Sequence, residues 1–292
     1  MHTPTFSRSK YPSDTDADTN LKENERRMKA MRIGVAAGLL ALAGTLALAQ
    51  TQQNEREKPV PPGIVLMGGS EEDGELKDGK PITKGWKSLF DGKTLEGWIG
   101  EKGYWQVKDG ALVGDKGGST PHHHYLFSDK DYGDFELHID VKMTGYNSGV
   151  CCRIHPVSFD DVPGYQVDMG DGYWGCLWDE RHRQKKIFDF PKGQAEKILH
   201  KNDWNHYYFR MVGHHVTIYL NGVKTADGDD PGGFDSGPLG FQLCHGGNTI
   251  ASFKNVYIKT HFTVPGPDGK PMEVKAEPLK STAPKPAEPP VP

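Results

Sequence analysis

The chain has 292 residues and a formal net charge of −4, from 35 Lys and Arg residues against 39 Asp and Glu residues. This balance provides no large basic field that could hold a phosphate backbone, so nucleic acid is not an expected partner. The 36 Gly and 21 Pro residues indicate short strands joined by tight turns rather than long helices.

Segment 1–49 has the pattern of a secretory signal behind a polar extension. The apolar run Ile33–Leu48 ends in Ala47-Leu48-Ala49, which matches a signal-peptidase site. The run is short for a bilayer span, so we expect cleavage, export to a periplasm or the medium, and no stable membrane span afterwards. An uncleaved anchor is the alternative, and the true start could be Met28 or Met31. The basic residues before the run are Arg26, Arg27, Lys29 and Arg32.

The rest of the chain divides into three segments. Residues 50–84 are polar and rich in Gly and Pro, which predicts a linker. Residues 261–292 are Pro-rich without apolar periodicity, which predicts an extended tail. Residues 85–260 hold a series of candidate strands, with Asp109-Gly110 and Asn221-Gly222 as two-residue hairpin turns and only Gln194–Leu199 as a weak helical turn. We therefore predict one all-β domain, an antiparallel sandwich in preference to a barrel.

The segment Asp134–His155 shows strict strand alternation. Successive strand side chains project to opposite faces, so its first strand predicts one dry face and one solvated face. The residues predicted to be dry are Phe135, Leu137, Ile139, Val141 and Met143, and those predicted to be solvated are Glu136, His138, Asp140 and Lys142. After a turn, the second strand is predicted to bury Val150, Cys152 and Ile154 and to expose Cys151, Arg153 and His155.

The segment Gly164–Arg183 concentrates carboxylates, an amide and aromatic rings. Gln166 and Asp168 are two residues apart on one strand and share its predicted wet face, next to Arg153 if neighbouring strands follow chain order. Trp174 and Trp178 offer flat apolar platforms for a sugar ring, and Glu180 is one of the carboxylates that the same segment gathers. The alternative is structural, because charged side chains often only solvate a surface, and an Arg beside an Asp can be a plain ion pair.

The segment Gly237–Gly247 places a histidine at the end of a strand. Phe241 and Leu243 are predicted to face the core, which turns Gln242 and Cys244 outward and leaves His245 at the strand end. An imidazole titrates close to neutral pH, so His245 is a candidate acid or base. A turn-capping histidine is the alternative.

The sequence assigns no cofactor and no metal ligands. The segment Asp129–Asp134 has oxygen donors that could hold calcium, but it lacks the spacing of an EF-hand. His122–His124 are consecutive, and consecutive side chains on an extended chain diverge, so they do not predict a metal site. In an oxidising compartment the four cysteines could form up to two disulfides in three connectivities: Cys151, Cys152, Cys176 and Cys244.

A series of motifs between residues 85 and 259 resembles the 3-keto-disaccharide hydrolase domain family. The motifs are GWKSLFDGKTLEGW, YWQVKDGALVG, YGDFELHIDVKM, NSGVCCR, GYQVDMGD, DWNHYYFRMVGHHVTIYLNGVKT and GPLGFQLCHGG. The resemblance implies a concanavalin A-like jelly-roll sandwich, usually exported, that cleaves the glycosidic bond of sugars oxidised at C3. Family elements fall on Asn147-Ser148-Gly149 with Arg153, on Gly164–Asp168, and on Gln242 with His245.

This chain departs from the family pattern at two positions. The family commonly has Glu at the position of Gln166, so the role of that carboxylate must pass to Asp168 or be absent. Cys244 looks like an insertion that moves His245 out of phase with Gln242 unless a bulge restores the phase.

The implied reaction needs a base, a stabiliser for an enolate oxygen and a proton for the leaving group. We expect Asp168 or His245 as the base, Arg153 as the enolate stabiliser and Glu180 as the acid, with the sugar bound by Asn147, Gln166, Trp178 and Gln242. The expected partner is a carbohydrate or glycoside. The rival predictions are a non-catalytic carbohydrate-binding module and an envelope interaction domain, and the sequence leaves the oligomeric state open.

Overall fold

In the computed structural model, residues 76–77, 79–266 and 268–285 are described. Every described residue belongs to one compact unit. The predicted secretory signal and most of the predicted linker lie outside the described residues. Within the part that is described, no helix has the length and apolar character that a membrane crossing requires.

Strands account for nearly all of the regular structure, and short turns join them. The elements in chain order are β1 (Leu76–Lys77), β2 (Lys80–Pro81), β3 (Lys87–Ser88), β4 (Trp98–Gly100), β5 (Trp105–Lys108), β6 (Ala111–Gly114), β7 (His124–Tyr132), β8 (Phe135–Thr144), β9 (Asn147–Ile154), β10 (Gly164–Gly170), β11 (Leu177–Glu180), β12 (Lys185–Phe188), α1 (Lys192–Ile198), β13 (Asn205–Val212), β14 (His215–Leu220), β15 (Val223–Asp229), β16 (Gly237–Leu243), β17 (Ile250–Lys259), β18 (His261–Pro265), β19 (Pro271–Lys275) and β20 (Leu279–Lys280).

Two antiparallel sheets form the sandwich. The first, which we call the site sheet, has the order β12-β11-β10-β9-β16-β7-β20, with β4 also paired to β7. The second, the back sheet, has the order β15-β14-β13-β8-β17-β6-β5, with β3 also paired to β17. Both predicted hairpin turns are present with positive φ, at Asp109-Gly110 between β5 and β6 and at Asn221-Gly222 between β14 and β15. The predicted all-β sandwich is confirmed.

The core lies between the two sheets and follows the period-2 pattern. In β8, Phe135, Leu137, Ile139 and Val141 are each 0% exposed. They pack against the inward residues of the site sheet, which include Val150, Cys152, Val167, Leu177, Phe241 and Leu243. Full burial of each such side chain contributes about 1.5–3 kcal/mol before entropy costs, so this interleaved layer is the main stabilising feature of the fold.

The outer face of β8 is covered, whereas the sequence predicted it to be solvated. Glu136 and His138 are 2% and 0% exposed. The Trp86 ring centroid lies 4.7 Å from that of His138, and the Tyr208 hydroxyl donates to Glu136 at 2.8 Å. The prediction was wrong for these two residues because the chain before β3 folds back over the outer face of the back sheet, a contact that strand alternation alone cannot reveal.

A bulge in β9 reverses the predicted alternation at its end. Cys152 pairs with Tyr165 and Ile154 pairs with Gly164, so Arg153 has no partner residue, and its φ is +46°. As a result, Ile154 packs on the same outer face as Cys151. The opposite orientations predicted for Cys151 and Cys152 are confirmed, since Cys152 lies in the core between the sheets.

The C-terminal segment contains strands that the sequence did not predict. Residues of β18 and β19 form a hairpin whose Phe262, Val264 and Val274 make a small apolar cluster. Leu279 in β20 pairs with Asp131 of β7. Strand β20 therefore extends the site sheet, and the β18–β19 hairpin forms a two-stranded sheet of its own.

Candidate functional site

A cleft of ≈ 230 Å³ opens on the outer face of the site sheet. All of the predicted site residues except Arg153 line it. Its walls are His123, Tyr146, Asn147, Gln166, Asp168, Asp171, Tyr173, Trp178, Glu180, Gln242, Cys244 and His245.

Neighbouring strands carry the floor of the cleft. In β10, Val167 and Met169 enter the core, so Gln166 and Asp168 project into the cleft. The register of β10 with β11 places Trp178 opposite Gln166. Two residues further along β11, Glu180 has the same orientation as Trp178. The alternation of these two strands therefore brings an amide, two carboxyl groups and an indole to one surface.

Gly149 leaves the space that the Gln166 side chain occupies. A Cβ atom on Gly149 would lie 2.4 Å from Gln166 Cγ, which is closer than real Cβ contacts allow. Across this gap, Gln166 Nε2 donates to Gln242 Oε1 at 3.5 Å, and Gln242 Nε2 donates to the Tyr125 hydroxyl at 2.6 Å. The Cys151 thiol donates to Gln166 Oε1 at 3.3 Å. These buried polar groups form a connected, neutral floor.

Asp168 is a buried carboxyl group with a pKa near neutrality. It is 3% exposed, and burial raises its pKa to about 7, with a smaller contribution in the same direction from the charge of Glu180. Asn147 Nδ2 donates to Asp168 Oδ1 at 2.9 Å and opposes that rise. A group with this pKa exchanges a proton readily at neutral pH, which is the property of a general acid or base.

Glu180 provides a second carboxyl group in the cleft. Burial raises its pKa, while Arg181, whose Nε lies 3.5 Å from Glu180 Oε1, lowers it in part. The Trp178 side chain donates a hydrogen bond to this carboxyl. The Tyr173 ring meets the Trp178 ring edge-on at 6.0 Å, so the indole is held from two sides and can serve as a platform.

Two histidines stand at the mouth of the cleft. The backbone N–H of His245 donates to His123 Nδ1 at 3.3 Å, and the ring centroids are 4.5 Å apart in an edge-on arrangement. Burial and the neighbouring His245 lower the pKa of His123 to about 4, so its ring is neutral at physiological pH. Strand β16 ends at Leu243, and the turn that follows brings His245 into the cleft with Gln242 despite the extra Cys244.

Arg153 lies outside the cleft, which corrects its predicted role. Its side chain is 2% exposed. The guanidinium donates to the carbonyl oxygens of Gly133 and Gly213 and, at 2.8 Å, to Asp134 Oδ1. The bulge turns this side chain away from Gln166 and Asp168, and Arg153 ties the β7–β8 and β13–β14 turns together at one end of the sandwich.

Sequence reasoning missed the loop residues of the site. Tyr146 comes from the turn between β8 and β9, whereas Asp171 and Tyr173 follow β10. His123 was considered only as part of a histidine triple. Its place in the cleft depends on the pairing of β7 with β16, two strands that are more than 100 residues apart in sequence, and no local pattern signals that pairing.

The described residues form neither a cluster of metal ligands nor a disulfide bond. No group of three or more His, Cys, Asp or Glu side chains there could hold a metal ion. In the segment predicted to offer calcium ligands, Asp131 accepts from the backbone N–H of Thr282, while Asp134 pairs with Arg153. All four cysteines are buried with free thiols.

Comparison with solved structures finds chains that are similar to part of this one. A protein of Parabacteroides distasonis with the provisional name glycosyl hydrolase is 24% identical and covers 60% of this chain and 98% of its own, with a TM-score of 0.43. A carbohydrate-binding module from Bacillus subtilis is 18% identical over 56% of this chain and 95% of its own, with a TM-score of 0.44. At these values the likeness says nothing about activity. No curated protein matches the chain.

A family model identifies the domain. The model of the 3-keto-alpha-glucoside-1,2-lyase-like domain matches residues 85–259. That range covers β3 to β17 and includes every residue of the cleft. The resemblance deduced from the sequence motifs is thereby confirmed, and the chain belongs to the 3-keto-alpha-glucoside-1,2-lyase-like domain family.

Proposed function

We propose that this protein cleaves the glycosidic bond of 3-keto sugars by base-assisted elimination followed by hydration. The observation that carries the proposal is Asp168, a buried carboxyl group whose pKa is raised to about 7 inside a cleft that also holds Glu180 and Trp178. A ketone at C3 acidifies the proton on C2, so a base of this strength suffices to remove it.

The reaction proceeds in two balanced steps. Ionised Asp168 removes the proton from C2, the electron pair forms the C1–C2 double bond, and the C1–O bond breaks as the leaving oxygen takes up a proton. The hydroxyl of a water molecule then adds to C1 of the resulting unsaturated ketone, the remaining proton of that water restores the acid that protonated the leaving oxygen, and Asp168 returns its proton to C2. The sum is hydrolysis, with no net change in oxidation state and with water as the co-reactant.

The remaining roles fall to side chains that line the same cleft. Glu180, whose pKa is raised by burial, supplies the leaving-group proton. Trp178 stacks against the sugar ring, and the Gln166–Gln242 floor and Asn147 hold Asp168 and the sugar hydroxyls. His245, at the mouth of the cleft, takes the enolate-stabilising role that the sequence assigned to Arg153.

The second candidate function is carbohydrate binding without turnover. The platform of Trp178 beside the amides of Gln166 and Gln242 is a combination that recognises sugars whether or not chemistry follows. A binding module would retain affinity for sugars when Asp168 is replaced by Asn, and it would release no product from any of them.

The deciding experiment incubates purified protein with 3-keto-trehalose, 3-keto-sucrose and the unoxidised parents, with and without a chelator, and follows product release. We expect turnover of at least one keto sugar, no turnover of the parents, and loss of turnover in Asp168→Asn with the fold retained. Binding of keto sugars without any release of product would reject the hydrolase function and support the binding-module function.

We also propose that the protein is exported, because Ile33–Leu48 and the Ala47-Leu48-Ala49 site form a signal-peptidase pattern. Expression of the full chain with a C-terminal tag in a Gram-negative host should yield protein that begins at Gln50 in the periplasmic or extracellular fraction. N-terminal sequencing of that fraction checks the cleavage position, and an intact N-terminus in the membrane fraction would indicate an anchor.

A further inference from the structure

A network of polar side chains crosses the outer face of the back sheet, on the opposite side of the sandwich from the cleft. Asn255 Nδ2 donates to Asp140 Oδ2 at 2.6 Å, and the other oxygen of this carboxylate, Oδ1, lies 2.7 Å from His206 Nδ1. His206 Nε2 in turn lies 2.7 Å from His138 Nδ1. None of the four residues lines the cleft, so the proposed function gives this network no role.

The partners of the two imidazoles fix the positions of their hydrogens. A carboxylate only accepts hydrogen bonds, so His206 Nδ1 donates to Asp140, and in the neutral ring His206 Nε2 accepts from His138 Nδ1. The remaining nitrogen, His138 Nε2, is buried and has no hydrogen-bond partner among the described residues. In this arrangement His138 Nε2 carries no hydrogen, and both imidazoles are neutral.

An added proton does not fit this network. If His138 takes it up, Nε2 becomes a buried N–H of a cation with no acceptor. If His206 takes it up instead, His206 Nε2 donates to His138 Nδ1, and the hydrogen of His138 must move to Nε2. Both arrangements leave the same buried N–H without an acceptor, so the folded network binds a proton poorly.

The chain before β3 covers this network. We call the described residues 76–77 and 79–86 the strap. The Trp86 ring centroid lies 4.7 Å from that of His138, and at the other end of the network a Cβ on Gly79 would lie 2.2 Å from Asn255 Nδ2. The strap therefore contacts both ends of the network, and Trp86 covers the ring whose Nε2 has no partner.

Few contacts hold the strap. Leu76 is its one fully buried side chain, whereas Ile82 is 55% exposed. Strands β1 and β2 pair with each other and not with a strand of the back sheet. A segment with so little burial opens locally at a much lower cost in free energy than the sandwich unfolds.

The carboxylates beside His138 are already engaged. Glu136 accepts from the Tyr208 hydroxyl at 2.8 Å, and it lies 3.9 Å from Arg210 Nη1. Asp140 is held by His206 and Asn255 through both of its oxygens. Neither carboxylate accepts from His138 Nε2, so neither can stabilise a proton there.

The other charged groups that the described chain places around His138 are cations. Lys254 and Lys259 come from β17, where the neutral phenol of Tyr257 lies opposite His138. Burial, followed by the neighbouring His206 and Lys259, holds the pKa of His138 well below its usual value. The strap adds three exposed lysines, Lys77, Lys80 and Lys84. A neutral imidazole is therefore part of the arrangement in which the strap is docked.

We infer that the strap is a pH-operated latch, docked on the back sheet while His138 is neutral and released when His138 takes up a proton. Release moves Trp86 away and lets His138 Nε2–H reach water. The sandwich stays folded, because its core lies on the other face of the back sheet.

The sign of the pH dependence follows from the two forms of His138. An exposed imidazole has a pKa of about 6.5, above that of docked His138, so the released form binds the proton more tightly. The ratio of docked to released strap is therefore constant above about pH 6.5 and falls by up to about tenfold for each pH unit below it.

Release changes how far the sandwich reaches from the chain that precedes it. The strap spans up to roughly 35 Å when it is fully extended, so acid lengthens the connection between β3 and the residues before the strap. The inference does not depend on the chemistry proposed for the cleft, because the two lie on different sheets.

The test measures release by proteolytic cleavage. Chymotrypsin cuts after aromatic residues in extended chain, so it cuts after Trp86 when the strap has left the sheet, at a rate that follows the released population. The rate of this cut in the full-length protein, followed by mass spectrometry, is divided at each pH by the rate for a synthetic peptide of residues 76–90. Between about pH 7.5 and about pH 5 we expect this ratio to rise about tenfold or more, while thermal unfolding shows that the sandwich remains intact.

Two variants assign the effect to His138. His138→Gln keeps a neutral donor toward His206 at every pH, so its ratio should be flat. His215→Gln is the matched control, because it removes a histidine of the same sheet that pairs with Asp227 and Asp229 on β15, and it should keep the rise of the wild type.

The outcomes decide between the latch and other acid effects. A wild-type ratio that is flat over this pH range overturns the latch, whatever the variants do. An equal rise in His138→Gln, or loss of the rise in both variants, assigns release to something other than His138 and also overturns it. Cuts within the strands of the back sheet at the rate of the cut after Trp86 would show general acid unfolding, which rejects release of the strap alone.

Discussion

Asp168 is buried among amide side chains, and its raised pKa predicts that activity increases with pH. The ionised form is the base, and burial raises its pKa to about 7, so kcat/KM for a 3-keto sugar should increase as pH rises through about 7. Asp168→Asn should reduce turnover by about 10²-fold or more. A steady-state pH profile checks both expectations, and a profile that is flat across this range would argue against Asp168 as the base.

The same pKa predicts how Asp168 affects stability. An unfolded Asp has a pKa of about 3.9, so the folded chain binds the proton more tightly, and the contribution of this group to stability is lost as pH rises from the unfolded value through about 7. Asn keeps the acceptor for Asn147 without a charge. Asp168→Asn should therefore become more stable relative to wild type between about pH 5 and about pH 8, as measured by urea unfolding at each pH. If the stability difference between Asp168→Asn and wild type shrinks over this pH interval, the raised pKa of Asp168 is contradicted.

Gly149 makes the amide floor possible, and its replacement should collapse that floor. In Gly149→Ala the added Cβ would lie 2.4 Å from Gln166 Cγ, which displaces Gln166 from Gln242 and costs about 1–3 kcal/mol of stability. Gly118→Ala is the matched control, since a Cβ there meets no atom within 4 Å. We expect weaker sugar binding by calorimetry for Gly149→Ala alone. Unchanged binding would mean that the amide network is not part of the site.

At the scale of elements, the bulge in β9 gives Arg153 a structural role in place of the catalytic role that the sequence predicted. Arg153→Ala removes the donors to Gly133, Gly213 and Asp134, and we expect a loss of roughly 3 kcal/mol in the free energy of unfolding. The kcat of the protein that remains folded should stay unchanged. Arg153→Lys should rescue stability only in part, because one ammonium group cannot reproduce the planar set of N–H donors of a guanidinium group. A fall in kcat at unchanged stability would return Arg153 to the catalytic site.

The strands and their hairpin pairings could be predicted from the sequence, but the pairings of strands that are distant in the chain could not. Alternation identified the core residues of β8, and the same rule predicted that Gln166 and Asp168 share one face, where both line the cleft. However, the turn at Tyr146 carries the chain from the back sheet to the site sheet, so β8 and β9 do not pair, and β16 enters between β9 and β7. Such pairings depend on contacts that are distant in sequence. For this reason the place of His123 and the orientation of Arg153 emerged only from the structure.

At the scale of the whole molecule, the C-terminal segment completes an edge of the site sheet. The outer edge of β7 pairs with β4 at Leu126 to Ser128 and with β20 at Lys130 and Asp131. Buried Asp131 also accepts from the N–H of Thr282 at 3.0 Å. Without β20, this stretch of β7 would present unpaired backbone groups, which promote association between chains.

Truncation at the C-terminus tests this role. Removing residues 278–292 should lower the free energy of unfolding by about 1–2 kcal/mol, since it deletes a few hydrogen bonds and exposes Asp131. It should also increase concentration-dependent association. Removal of 286–292 alone retains every described contact and is the control. Urea unfolding and light scattering provide the measurements, and equal stability and solubility of the two truncated chains would show that β20 is dispensable. Because the cleft lies across β16, β9, β10 and β11, both truncated chains should keep the same KM for a 3-keto disaccharide.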